Sequence, residues 1–184
     1  MDSRYNNVIP VWFVMSATFG RSLQAQRALL KKGIENYVPM RWDVITHSQG
    51  RKTKKLVPAV SNLIFVRSVW SGILESMTAM PWLMLQTFPQ EGRNVPIIVP
   101  DPQMERFIRI TENQDNRPVY LQPAEIDLNE GERVQVLGGP FDGVEGIFIH
   151  SRGRRKKQLI VEIPRIIAAK VVIEEYDLIK VLSR

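Results

Sequence analysis

Between residues 111 and 126 the chain changes texture. This stretch is polar and carries Asn113, Asn116, Pro118 and Pro123, residues that break regular structure. Upstream of it, β-forming runs alternate with segments that favour helix. Downstream there are only short β-rich runs separated by turns. By length one large domain or two small ones would both fit; the change of texture points to two, 1–110 and 127–184, joined by a linker at 111–126. A chain of 184 residues is long enough for two small domains, each burying a core.

In the first segment, Val11 to Ala17 is a run of β-formers and reads as a buried strand. Arg21 to Lys32 lacks Gly, Pro and β-branched residues and favours helix, with Gly33 suited to its C-terminus. Asn36 to Pro39 and Trp42 to His47 read as strands, and Ser48-Gln49-Gly50 as a turn. Leu63-Ile64-Phe65-Val66 is a continuous apolar run, typical of a strand covered on both faces. Helices are expected over Ser71 to Met80 and Asp101 to Ile110, with a further strand over Trp82 to Thr87. Pro102 fits a first helical turn, where a missing N–H costs little.

In the second segment, Arg133 to Leu137, Gly146 to His150, Gln158 to Ile163, Lys170 to Ile173 and Ile179 to Leu182 read as short strands. Such strands in so short a span predict a small barrel. Pro164 and the runs Leu159-Ile160-Val161 and Val171-Val172-Ile173 argue against a helical form of this segment.

Charge is unevenly spread. The net charge is +6. Residues 1–110 hold 14 Lys and Arg against 7 Asp and Glu, whereas residues 127–184 hold 10 against 9. The first segment is therefore the one suited to a polyanion. Arg51, Lys52, Lys54 and Lys55 follow Gly50 directly and are expected at a hairpin tip, either touching phosphates or as a solvated loop. Arg154, Arg155, Lys156 and Lys157, with Arg152, form a second cluster of the same kind.

There is no cysteine, which excludes disulfides and thiolate metal sites. No apolar run approaches the roughly 20 residues that span a bilayer, and the first ten residues lack a signal-peptide core, so a cytoplasmic protein with no membrane partner is expected. The two histidines, His47 and His150, sit in no metal-ligand spacing. No nucleotide-cradling loop or nucleophile elbow occurs. Glu174-Glu175 would point to opposite strand faces. Nothing assembles a nucleophile, a base and an orienting group. No enzyme, no cofactor and no metal are expected.

Gly131-Glu132-Arg133-Val134-Gln135-Val136-Leu137-Gly138-Gly139-Pro140-Phe141-Asp142-Gly143-Val144-Glu145-Gly146 resembles a KOW motif, with Gly138, Gly139, Pro140, Phe141, Gly143 and Gly146 as its signature. Val134 and Val136 alternate inward, and Gly143 and Gly146 fit places needing positive φ or lacking room for a side chain. Trp12-Phe13-Val14, Gly33-Ile34-Glu35-Asn36-Tyr37-Val38-Pro39, Leu63-Ile64-Phe65-Val66 after a basic hairpin, and Pro96-Ile97-Ile98-Val99-Pro100-Asp101 resemble the N-terminal domain of the NusG family of transcription factors. Their order and spacing match from about residue 10 to residue 184. The short N-terminal domain and the compact Ser61-Asn62-Leu63-Ile64-Phe65-Val66 segment resemble the specialised RfaH and UpxY type. The stretch Ser61-Asn62-Leu63 departs from the Pro-Gly-Tyr or Pro-Asn-Tyr usual in the family, which puts Leu63 where a contacting aromatic would stand.

The resemblance implies an α+β chain. An N-terminal α/β sandwich with a four-stranded antiparallel sheet would be followed by a small SH3-like β-barrel, in a monomer. It implies docking onto the clamp helices of the largest RNA polymerase subunit through Tyr37, Val38, Val60, Leu63, Phe65 and Trp82. The basic hairpin would meet DNA or nascent RNA. The barrel would recruit a small-subunit ribosomal protein or Rho. The alternative is a ribosome-associated or RNA-binding KOW protein, which explains the barrel and the charge but not the N-terminal pattern.

Overall fold

The structure is a computed structural model. It describes residues 9–112, 115, 117–122, 125, 131–150, 157–173 and 178–182, with the backbone alone at His150, Lys157 and Leu178. The chain divides into two compact units, Met1–Asp101 and Pro102–Arg184. The first runs β1 (Val11–Ala17), α1 (Ser22–Lys31), β2 (Asn36–Tyr37), β3 (Met40–Thr46), β4 (Lys52–Pro58), β5 (Leu63–Ser68), α2 (Trp70–Ala79), β6 (Leu83–Leu85), β7 (Thr87–Gln90), β8 (Arg93–Pro96) and β9 (Ile98–Val99).

β1 is the centre of the first sheet, whose order is β2-β5-β1-β6, all antiparallel. The expected four strands are present, and β9 adds a fifth. It pairs with Trp12 and Phe13 while β6 pairs with Met15 to Ala17, so two short strands share one edge of β1. Val14, between them, accepts from the Gln86 N–H at 2.9 Å and donates to the Ile97 carbonyl at 3.0 Å. The β7–β8 hairpin is the excursion that separates the two. Its short runs, Thr87–Gln90 and Arg93–Pro96, carry Pro89 and Pro96 and gave no strand signal in the sequence.

Phe13, Met15 and Ala17 of β1 join Ile64 and Val66 of β5 in a core with Ala25 and Leu29 of α1 and Ile73 of α2. Each large side chain buried this way stabilises by about 1.5–3 kcal/mol. Leu30, off the apolar stripe of α1, is exposed. Arg67 on β5 reaches Asp101 at 2.9 Å and Glu35 at 3.3 Å. Its hydrogen bond to Asp101 is the main cause holding the guanidinium above its ordinary pKa, with Glu35 adding to it.

The second unit holds all but the first residue of α3 (Asp101–Glu112), then β10 (Val119–Leu121), β11 (Glu132–Leu137), β12 (Glu145–His150), β13 (Lys157–Ile163), β14 (Ile167–Ile173) and β15 (Leu178–Val181). The division at Asp101 falls earlier than the boundary expected at residue 110. The sheet order is β10-β14-β13-β12-β11-β15. β11 to β14 form a meander and β15 returns to β11, the strand order of a small barrel. The segment expected to be linker throughout contributes β10, which pairs antiparallel with Ala168 to Lys170. Val119-Tyr120-Leu121 are β-formers between two prolines, enough to extend a sheet edge. The described strands between residues 132 and 181 accord with the β-branched runs in the sequence.

From α3, the Gln103 side chain donates to the Glu162 carbonyl at 3.1 Å, and Arg106 pairs with Glu145 at 2.8 Å. Partial burial raises the Glu162 carboxyl above its ordinary value of 4.5. Folding then favours the protonated acid, so its contribution to stability is greatest below the unfolded value and falls as pH rises through the folded one. Glu162→Gln removes that dependence. Thermal melts are expected to show the variant more stable than wild type at neutral pH, with the gap closing near pH 4. A gap of equal size at both would refute the assignment.

Candidate functional site

The apolar residues expected to dock a partner do not form one surface. On β5, Ile64 and Val66 face the helix-side core, while Leu63 and Phe65 alternate to the other face. There, Phe65 stands opposite Val14 on one side and Tyr37 on the other, and Leu63 stands opposite Ser16. Val38 belongs to the helix-side core, and Trp82 packs against that core. Five of the six residues are thus divided between the two sides of the sheet, because a strand alternates its side chains whereas a continuous apolar run conceals the alternation. Leu63 is 2% and Phe65 0% exposed, so neither offers open surface in this structure. Tyr37 and Val60 are half-buried and Val60 sits in the turn before β5, its carbonyl accepting from the Leu63 N–H at 3.2 Å.

Trp82 has a second association that the sequence did not suggest. The Arg21 guanidinium lies 5.5 Å from the Trp82 ring centroid and 5.4 Å from that of Phe19. Phe19 is 87% exposed and left-handed, with φ 58°. In sequence it reads as a residue that merely ends a strand before Gly20; exposure and φ are not visible at that level.

β3 and β4 form a two-stranded hairpin bonded to no other strand among the described residues. The turn closes through the His47 N–H to the Arg51 carbonyl and the Gly50 N–H to the His47 carbonyl, each 2.9 Å. The sequence reading placed the whole basic cluster at the tip. The structure leaves only Arg51 in the turn and puts Lys52, Lys54 and Lys55 on β4, because pairing runs on to Thr46↔Lys52. Alternation then separates the lysines. Lys52 and Lys54 share a face with Trp42, Val44 and Thr46, whereas Lys55 shares the opposite face with Arg41 and Asp43. Arg41 and Asp43 pair at 3.4 Å. The exposed His47 ring sits 2.8 Å from the Thr53 hydroxyl.

Of the second basic cluster, Arg152, Arg154, Arg155 and Lys156 lie outside the described residues, as do Glu174 and Glu175, and Lys157 is placed by its backbone, paired with His150 and Ile173.

The glycine-rich turn between β11 and β12 is built as its residues require. Gly138, Gly139 and Gly143 have φ of 91°, 67° and 79°. Asp142 accepts from the Gly138 N–H at 2.7 Å, and the Gly143 N–H donates to the Val136 carbonyl at 2.8 Å. Phe141 is 2% exposed and anchors the turn, while Gly138 to Pro140 face solvent. At Gly146 a Cβ would meet the Ile160 carbonyl oxygen at 2.5 Å.

No helix among the described residues is long and apolar enough to cross a membrane. The model of the NusG family, described as "Transcription termination factor nusG", matches residues 10–127. A solved structure titled "Domain interaction in Thermotoga maritima NusG" is similar over 89% of this chain and 93% of that one, at 20% identity and a TM-score of 0.43. No curated protein matches the sequence.

Proposed function

The chain belongs to the NusG family of transcription factors, and from that premise we propose that it binds RNA polymerase during elongation and suppresses pausing or termination. The observation that carries the reading is the family match over residues 10–127, a span that contains the whole basic hairpin. The first unit docks on the clamp helices of the largest polymerase subunit through the half-buried Tyr37 and Val60, beside the covered Leu63 and Phe65. Bridging the clamp across the DNA channel favours the closed, elongating conformation. The effect is differential binding to two states, with no chemistry by this chain. Arg51, Lys52, Lys54 and Lys55 meet nucleic-acid phosphates, which fixes position without reading sequence. The glycine-rich turn shapes the second unit, which recruits a further partner such as a small-subunit ribosomal protein or Rho. The short N-terminal domain and the compact Ser61-Asn62-Leu63-Ile64-Phe65-Val66 segment support a specialised, operon-restricted role of the RfaH and UpxY type.

The test is co-purification of the full-length protein with polymerase core enzyme against ribosomal subunits, followed by a pause assay on any complex formed. Binding to ribosomal subunits alone would favour the RNA-binding alternative. Within the polymerase reading, Tyr37→Ala and Val60→Asp are expected to weaken core binding by about tenfold or more, since a charge in an apolar contact is costly to desolvate. Circular dichroism has to stay at the wild-type spectrum. Undiminished binding by both variants would move the docking surface elsewhere.

A further inference from the structure

We propose that β10 is a displaceable plug: this chain's own linker segment occupies the edge of β14 until an extended segment of a protein partner takes its place as the added strand. The inference rests on the reading that the second unit recruits a partner, and adds the edge it uses and the strand that guards that edge.

β14 pairs along its whole length with β13, from Ile163↔Ile167 to Lys157↔Ile173. On its other side only Ala168, Ala169 and Lys170 are paired, with Leu121, Tyr120 and Val119 of β10. Val171 to Ile173 have no strand on that side among the described residues. The register would set Pro118 opposite Val171, and a proline has no N–H to give to a ladder, so the pairing stops there. Past the other end the chain turns at once. The Gln122 carbonyl accepts from the Glu125 N–H at 2.9 Å, and the Glu125 carboxylate accepts from the Gln122 N–H at 2.7 Å. Arg117, before the strand, is left-handed with φ 45°, a costly conformation for a residue with a side chain. β10 is thus a short extended piece between a strained residue and a turn. It covers half of the run from Ala168 to Ile173 that the edge offers.

The side chains suit a strand that can be exchanged. Ala168 and Ala169 are fully buried, and their small size leaves room for Leu121 and Tyr120 directly opposite. A foreign strand with an aromatic and a large aliphatic residue in those two places meets the same edge. Val119 is 52% and Val172 45% exposed, on the face that Lys170 shares, so a longer strand would cover apolar surface that β10 leaves open. A sheet edge accepts a strand through its N–H and C=O groups, which only another extended backbone can match in series. β10 occupies those groups while no partner is present, and its tether gives it a high effective concentration there. A partner strand wins by pairing over more of β14 than β10 can.

The probe is a synthetic peptide spanning Arg117 to Gln122 of this chain, titrated into the full-length protein and followed by the amide resonances of β14. Tyr120→Pro with Leu121→Pro vacates the edge, since successive N–H groups of a strand point to opposite sides and one of the two prolines removes a ladder bond. The peptide is expected to bind this variant roughly tenfold or more tightly than wild type, where it has to displace a tethered copy of itself. The shifts should centre on Ala168, Ala169 and Lys170. Equal affinity for the two proteins, or none for the variant, overturns the proposal. Hydrogen exchange on the wild type gives a reading that does not depend on the variant folding. Amides in the β10–β14 ladder should exchange roughly tenfold or more faster than those in the β13–β14 ladder, through local opening. Equal protection of the two ladders would make β10 a permanent strand of the unit and overturn the proposal. Wild-type dimers in sedimentation that the double-proline variant does not form would give the edge to β10 of a second copy, and overturn the partner. Failure of the recruitment reading looks different: the peptide and exchange results stand, supporting the plug, while neither protein binds small ribosomal subunits or Rho.

Discussion

Phe65→Asp is expected to unfold the first unit, not to yield a folded protein that fails to bind. Phe65 is 0% exposed in the middle of β5, between Val14 and Tyr37 on the two neighbouring strands. A carboxylate there loses its hydration without gaining a partner, at a cost of several kcal/mol even after the acid is protonated. Domain stabilities are about 5–15 kcal/mol, so most of the margin is consumed. The melting temperature should drop by roughly 15 °C or more, or the cooperative transition should vanish. Phe65→Leu, which keeps the site apolar, should cost only about 1–2 kcal/mol. A folded Phe65→Asp protein with an unchanged melt would mean that this face is open to solvent. The consequence for function is practical: Leu63 and Phe65 cannot serve as clean binding probes, and the half-buried Tyr37 and Val60 have to.

The second large effect is expected at Gly146, where the backbone conformation is ordinary and the obstacle is steric. A Cβ would stand 2.5 Å from the Ile160 carbonyl oxygen and 2.9 Å from a Leu159 methyl, inside the pairing of β12 with β13. The carbonyl belongs to a strand held on both sides and has no room to retreat. Gly146→Ala should cost about 1–3 kcal/mol by overpacking, and Gly146→Val more, separating the two strands. Gly138 makes the opposite case. It has φ of 91° and nothing within 4 Å, so Gly138→Ala pays only for backbone strain, about 1 kcal/mol. Urea denaturation should rank Gly146→Val, Gly146→Ala and Gly138→Ala in that order of damage. Equal midpoints for the two alanine variants would contradict the steric account.

Much of the fold was legible because its signals are local. Val11 to Ala17 reads as a strand and is β1 to the residue, since a run that opens with four β-formers and is bounded by Thr18 and Gly20 leaves little choice. The five strands after residue 131 lie within three residues of where β-branched runs and turns place them. The short strands escaped for a physical reason. β9 and β10 hold two and three residues and exist because a neighbouring edge was free, which is a tertiary circumstance. The candidate site was less legible than the fold. Alternation predicted that Leu63 and Phe65 share a face, and they do, but not that this face would be buried or that Val38 and Trp82 lie on the other. The basic cluster was visible as a count of charges. Its division into two faces depends on the register Thr46↔Lys52, which composition does not carry.

At the base of that hairpin Met40 pairs with Pro58 and the Ala59 N–H meets the Pro39 carbonyl at 2.8 Å. Among the described residues its strands join no larger sheet, and its outer rows contribute nothing to the helix-side core. Residues 41–57 are therefore an interchangeable cartridge. They can be lengthened, shortened or recoloured with other charges and rings while the frame that holds them stays as it was. Descendants of one frame can in this way acquire different surface charges and rings without each having to solve the folding problem again, and an engineer could transplant one such loop onto another frame by cutting at the same two residues.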